Sequence, residues 1–156
     1  MGRSEIPWVL WCCHYYLARC CERLNRMNHY CILVGAILGL SAVLAGAGGA
    51  HLLEDLLDQK SLSTFQTAVR FQMYHAIVLL FLGLLHSKKQ SMSLTLSFVC
   101  FIFGVGLFCG SLYALALTGI GILGAIAPIG GIGLILGWAC LLFGAITIGR
   151  NRRSSI

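Results

Sequence analysis

Charge is scarce in this sequence. Of 156 residues, 10% are Asp, Glu, Lys or Arg, and 58% are hydrophobic. A soluble domain carries about 25% charged residues, so this chain could not cover a water-facing globule of its size. Acids are scarcer still. The five are Glu5, Glu22, Glu54, Asp55 and Asp58, and none falls in a long apolar run. That argues against a proton antiporter built on an intramembrane carboxylate. Period-two alternation is missing, which excludes an outer-membrane barrel. Also missing are a Ser-His-Asp order, an H-E-x-x-H pair and a nucleotide loop. The cluster Gly130-Gly131-Ile132-Gly133 lacks the Lys of a phosphate loop and sits in an apolar run. These absences speak against an enzyme and against any cofactor.

What is present is long apolar sequence. A span needs about 20 mostly apolar residues to cross a hydrocarbon core of about 30 Å. Four segments qualify: Cys31 to Ala50, about Thr64 to His86, Leu94 to Leu117, and Ile129 to Gly149, the last with Pro128 at its start. The second reaches span length only by including Gln66, Arg70, Gln72 and His75, with Ser63 and Gln66 fitting a capping box at its entry. The other three are apolar all round, unlike the two-faced helices of a soluble bundle. The expected fold is all-α: a polytopic four-transmembrane-helix bundle over residues 27–150, with a basic tail at 151–156.

Basic residues set the orientation. With four spans, Arg3, Arg19, Arg23, Arg26, Lys88, Lys89, Arg150, Arg152 and Arg153 fall on one side. Only Lys60 and Arg70 fall on the other. The positive-inside rule then places both termini in the cytoplasm. The net charge of +6 calls for no nucleic-acid partner, because basic residues flanking spans meet anionic lipid head groups. Residues 1–26 mix Trp, Tyr, Cys and Arg without a clean apolar stripe. They read as an interfacial or disordered extension, or as sequence upstream of a natural start at Met27.

Eight cysteines invite a metal or disulfide reading. Cys12-Cys13 and Cys20-Cys21 are adjacent pairs without zinc-site spacing, and on the cytoplasmic side thiols stay reduced. Cys31, Cys100, Cys109 and Cys140 lie in spans, where Cys behaves as a small hydrophobe. No metal site is expected.

Glycine is abundant, with 19 residues. Three G-x-x-x-G patterns occur: Gly35 with Gly39, Gly106 with Gly110, and Gly133 with Gly137. Glycines four apart share a helix face and let two backbones approach. The first span extends the pattern through Ala42 and Gly46, and that face is expected to pack closely. The spacing leaves open whether the partner helix lies in the same chain, in a second copy or in another membrane protein.

Polar residues at membrane depth are the candidate site: His51, Gln66, Arg70, Gln72 and His75. Gln66 and Arg70 share one helix face, so with His51 they are expected to form a hydrogen-bonded cluster at the outer boundary. Gln72 and His75 lie on the far side, with Tyr113, Thr118 and Trp138 as candidate partners. Such groups default to a functional hypothesis. A structural role, hydrogen bonding between helices, is the favoured reading here.

Four ordered blocks carry a resemblance: GAILGLSAVLAGAGGAH (Gly35 to His51), FQTAVRFQMYHAIVLL (Phe65 to Leu80), CGSLYALALTG (Cys109 to Gly119) and APIGGIGLILGWACL (Ala127 to Leu141). They resemble the membrane family labelled domain of unknown function 423, which includes transmembrane protein 256. The resemblance covers about residues 28–149. It implies a small multi-span protein of a bacterial plasma (inner) membrane, and it supplies no activity, substrate or cofactor to carry over. The function expected is a non-enzymatic accessory or structural membrane component. The competing reading is a small transporter or channel subunit using the polar residues of the first two spans. The lipid bilayer is one partner. A homo-oligomer or a membrane complex joined through the glycine-rich faces is the other.

Overall fold

The computed structural model describes residues 8–88 and 91–153. Four helices follow one another: α1 (Trp8–His51), α2 (Gln59–Lys88), α3 (Met92–Thr118) and α4 (Ile122–Arg153). Each holds a stretch long and apolar enough to cross a membrane: Met27–Gly49, Gln59–Ser87, Met92–Thr118 and Ile122–Arg150. The chain is therefore an all-α polytopic membrane protein. At about 1.5 Å per residue the helix of α3 alone reaches about 40 Å. That exceeds a core of about 30 Å, so tilt or emergence into the head-group zone absorbs the excess.

Helix boundaries depart from the sequence reading in three places. The backbone of α1 is helical from Trp8, well ahead of the first span. Residues 1–7 of the expected extension and 154–156 of the basic tail lie outside the described residues. Second, α2 starts at Gln59 rather than near Thr64, because Asp58 supplies the cap. The Ser61 N–H donates to Asp58 Oδ1 at 3.3 Å, and the Leu62 N–H donates to the Asp58 carbonyl at 2.9 Å. A carboxylate also suits the positive end of the helix dipole. Ser63 thus lies inside the helix, its carbonyl accepting the Thr67 hydroxyl at 2.9 Å, and the capping box does not form. Third, Pro128 lies within α4 rather than at its start. The third connection shrinks to residues 119–121 because Gly119 takes the left-handed conformation, φ 69°, and donates its N–H to Leu115 O at 2.9 Å. That αL cap ends α3 and turns the chain back at once.

The bundle is open. α1 packs on α2, α2 on α3 and α3 on α4, and the backbones of helices not adjacent in the chain scarcely approach one another. Two of the three seams are built from glycine. On α1, an added methyl at Gly35 would sit 3.0 Å from the Ala76 carbonyl oxygen, and one at Gly46 would sit 3.4 Å from Val69. Ala42 is buried between them. The face expected to pack closely is the one that meets α2. On α4, Gly130 meets the backbone of Phe108, Gly133 that of Gly104, and Gly137 the ring of Phe101. The third pattern behaves differently: Gly106 and Gly110 face open space.

The outward faces are apolar. Leu33, Ile37, Leu40 and Leu44 on α1, and Ile135, Leu142 and Phe143 on α4, are exposed. On a helix at membrane depth such a surface meets lipid tails, and it has no cost there.

Candidate functional site

Gln72 is the polar hub of the molecule. It lies one turn before Ala76, on the α2 face that the α1 glycines approach, and only 6% of it is accessible. Its Nε2 donates to the Leu38 carbonyl at 2.9 Å and to Ser41 Oγ at 2.7 Å, both on α1. Its Oε1 accepts the Tyr113 hydroxyl of α3 at 2.8 Å. One side chain therefore ties three helices together. The close α1–α2 approach makes this possible, because it brings a backbone carbonyl within reach of a short amide. Ser41 in turn donates to Ile37 O at 2.9 Å and Leu38 O at 3.1 Å. Phe65 packs edge-on against the Tyr113 ring, centroids 5.0 Å apart, which holds the phenol in position. In an apolar interior an unpaired amide would cost several kcal/mol; here both ends of the amide are engaged.

Gln72 and Tyr113 also floor a cleft of about 310 Å³. Val34 and Leu38 of α1 form one wall, and Val105, Gly106 and Gly110 of α3 the other. The cleft exists because α1 and α3 each pack on α2 without packing on one another, and because the α3 wall is glycine.

His75 lies one turn further along the same buried face, 5% accessible. Its Nδ1 is 2.7 Å from the Phe71 carbonyl. A carbonyl can only accept, so Nδ1 carries the proton and Nε2 bears the lone pair. Nε2 is buried without a hydrogen-bond partner. The surroundings are aromatic: Phe71 stacks at 6.2 Å, Phe101 of α3 lies at 5.5 Å and Trp138 of α4 at 6.4 Å. His75 thereby links α2 to both later helices by packing.

The outer cluster expected from His51, Gln66 and Arg70 is not assembled. Arg70 turns back on its own helix, Nε to the Gln66 carbonyl at 3.3 Å and Nη2 to Thr67 Oγ1 at 3.3 Å. His51 is exposed at the end of α1. The reason is register. Gly46 lies against Val69, so Arg70 sits near the level of Gly46, five residues or about 7.5 Å below His51. Gln66 and Arg70 instead line an open notch with Gly46, Gly49, Phe65 and Val69. The loop acids do not serve as counter-charges: Glu54 and Asp55 are exposed, and Asp58 is engaged with the start of α2.

Sequence reasoning missed a second polar layer at the opposite end. His86 is 1% accessible, and its Nε2 lies 3.2 Å from Thr95 Oγ1 of α3. Ser97 on α3 is fully buried and donates to the Gly137 carbonyl of α4 at 2.8 Å. A signal for His86 existed. Phe65, Ala68, Gln72, His75, Leu79, Leu82 and His86 recur at alternating steps of three and four, and all are buried. That is the heptad seam of a helix packed on its neighbours. Among the described residues no group of three or more His, Cys, Asp and Glu gathers in a way that could hold a metal.

Comparison with known proteins fits this architecture. A profile of the DUF423 family, described as protein of unknown function, matches residues 45–131. A UPF0382 membrane protein of Staphylococcus epidermidis is 44% identical over 115 residues, covering 74% of this chain and 93% of that one. The UPF0382 membrane protein YwdK of Bacillus subtilis is 41% identical over 116 residues, 74% of this chain and 94% of its own length. The UPF0382 inner membrane protein YgdD of Escherichia coli K12 is 32% identical over 124 residues, 80% of this chain and 95% of its own. No solved structure matches. The four blocks, the four spans and these near full-length relatives lead to one conclusion: this chain is an integral membrane protein of the DUF423 family.

Proposed function

We propose that this protein is a non-enzymatic structural or accessory component of the membrane, seated as its bacterial relatives are and with both termini cytoplasmic. The observation that carries the reading is the Gln72 hub. Gln72 is a buried amide between the helices, and its donors and acceptor are engaged by Leu38, Ser41 and Tyr113. A solute-binding amide would keep a donor or acceptor free toward a pathway. This one holds α1, α2 and α3 in register. The open flank of Gly106 and Gly110 supports a contact face for a second copy or another membrane protein, since small residues let a neighbouring helix approach.

A transporter or channel subunit is the competing reading, and it draws on His75, whose buried Nε2 has no partner. The two readings separate on the same variants. Gln72→Leu and Tyr113→Phe should each lower stability. Their effects should be non-additive, with a coupling of about 0.6–1.7 kcal/mol, the size found for hydrogen bonds between membrane helices. Proton and solute flux in liposomes should equal that of empty vesicles for wild type and variants alike. Flux in the wild type that His75→Phe abolishes, with the melting profile intact, would replace the structural reading by transport.

A further inference from the structure

Among the described residues, no carboxylate answers the charge of Arg70. Both its hydrogen bonds go to its own helix, Nε to the Gln66 carbonyl and Nη2 to Thr67 Oγ1, each at 3.3 Å. A guanidinium has five N–H donors, so most of them remain for a ligand. Depth makes this matter. Arg70 lies 11 residues past Gln59, where α2 begins, or about 16 Å along the axis. The apolar stretch Gln59–Ser87 has 29 residues, about 43 Å long, against a hydrocarbon core of about 30 Å. Centred on that core, the helix carries the Arg70 backbone about 10 Å below its edge. A cation there is costly without water or a partner. The side chain leans back toward the α1–α2 connection, since both its contacts precede it on α2.

The notch beside it has room for a partner. It holds about 290 Å³ and is lined by Gly46 and Gly49 of α1 and by Phe65, Gln66, Val69 and Arg70 of α2. Its α1 wall is glycine, so no side chain of α1 fills the space. Its α2 wall is apolar at Phe65 and Val69 and polar at Gln66 and Arg70. Ser63, Gln66 and Arg70 follow at steps of three and four, and all are exposed. One open polar stripe therefore runs from the start of α2 down to the guanidinium. Lys60, also exposed, stands one turn above Ser63.

We propose that this notch binds the phosphate of an anionic phospholipid, held by Arg70 with the Gln66 amide as a second donor. The planar fork of an arginine matches two phosphate oxygens at once. A lipid phosphate lies at the edge of the core, within the reach of a side chain that leans that way. The acyl chains below it meet Phe65 and Val69, which gives a lipid the advantage over a free anion. Charge selects the head group. No carboxylate lines the notch, so the ammonium of a zwitterionic head group finds no partner there. Lys60 on the same stripe repels that ammonium and attracts a second negative charge. A head group without an ammonium, such as that of phosphatidylglycerol, fits both. The site belongs to the α1–α2 end of the bundle whichever side that end faces, and it stands apart from the Gln72 hub.

The full-length protein, delipidated in mild detergent, would be titrated with dioleoyl phosphatidylglycerol, dioleoyl phosphatidylcholine or inorganic phosphate. Bound species would be counted by native mass spectrometry, and Trp138 fluorescence would check that each variant is folded. Wild type should take up phosphatidylglycerol in preference to phosphatidylcholine and should retain no inorganic phosphate. Arg70→Gln should weaken phosphatidylglycerol binding by about 10- to 100-fold, the size of a lost charge-assisted hydrogen bond. Arg70→Lys keeps the charge and the fold but not the fork, so it should fall between the two. Lys60→Gln, at the water-exposed end of the stripe, should change binding by less than about threefold. Equal uptake of both lipids by wild type would overturn the proposal. So would wild-type affinity in both Arg70 variants, or a loss in Lys60→Gln as large as in Arg70→Gln, which would mark general attraction to the surface. Retention of inorganic phosphate with no lipid preference would replace the lipid site by one for a free anion.

Discussion

Glycines inside the α3–α4 seam and glycines on the open flank of α3 should respond differently to one added methyl group, and the structure says which will tolerate it. A Cβ at Gly130 would land on the backbone of Phe108, 2.7 Å from its Cα, and 2.9 Å from the carbonyl carbon of Leu107. At Gly104 it would lie 2.6 Å from Leu134 Cδ2 and 2.8 Å from the Leu134 nitrogen. The Leu134 side chain can rotate away, but the backbone atoms cannot. Carbon atoms rest at about 3.5–4.0 Å, so α3 and α4 must part by on the order of 1 Å, loosening contacts along the whole seam. Overpacking of this kind costs about 1–3 kcal/mol. Because backbone meets backbone, Gly130→Ala belongs at the upper end of that range. At 1.4 kcal/mol per factor of ten, the unfolding equilibrium should shift by roughly 30- to 100-fold. Gly106→Ala and Gly110→Ala meet nothing within 4 Å and should leave it unchanged. Trp138, whose ring lies 5.6 Å from Phe101 across the seam, provides a fluorescence signal. Purified variants in mild detergent would be titrated with a denaturing detergent and the midpoints compared. If Gly106→Ala destabilises as much as Gly130→Ala, or if Gly130→Ala matches wild type, the seam assignment is refuted.

Two further outcomes are expected. Asp58 is fully exposed, and the hydrogen bond from Ser61 holds its carboxyl below the ordinary carboxylate range. Its capping contribution should be complete above the unfolded-state pKa and fade as pH falls through the lowered folded value; Asp58→Asn keeps the cap and should flatten that acid-side dependence in melting curves, whereas an unchanged slope would show that another group titrates. Reporter fusions at Asp58 and after Arg153 should read external and cytoplasmic respectively, following the basic residues around the termini and the second connection; a cytoplasmic Asp58 fusion inverts the orientation.

Some of the molecule was legible without coordinates. Four spans follow from apolar run length alone, because the bilayer thickness sets a minimum that nothing soluble requires. That Gln72 and His75 face away from Arg70 follows from 100° per residue, and the structure buries the first two and leaves Arg70 exposed. The start of α2 was misread because two local caps competed. Asp58 comes five residues before Ser63 with no helix breaker between them, so the helix starts at the earlier one. The outer cluster failed because it depended on axial register between α1 and α2, which no single-helix periodicity contains.

Apolar run length and helical periodicity are enough to set the number of helices, the lipid-facing character of their outer surfaces, and which residues share a face. Those properties depend on the bilayer and on the 3.6-residue period, both of which act on one helix at a time. Tertiary structure alone decided what stands opposite each face. Gly133 and Gly137 meet α3, Gly35 and Gly46 meet α2, and Gly106 and Gly110, spaced four apart like Gly133 and Gly137, meet nothing within 4 Å among the described residues. It also selected Tyr113 for Gln72. Partner choice depends on how far one helix slides along another, a displacement of a few ångströms settled by the summed fit of many side chains and written at no single position in the chain.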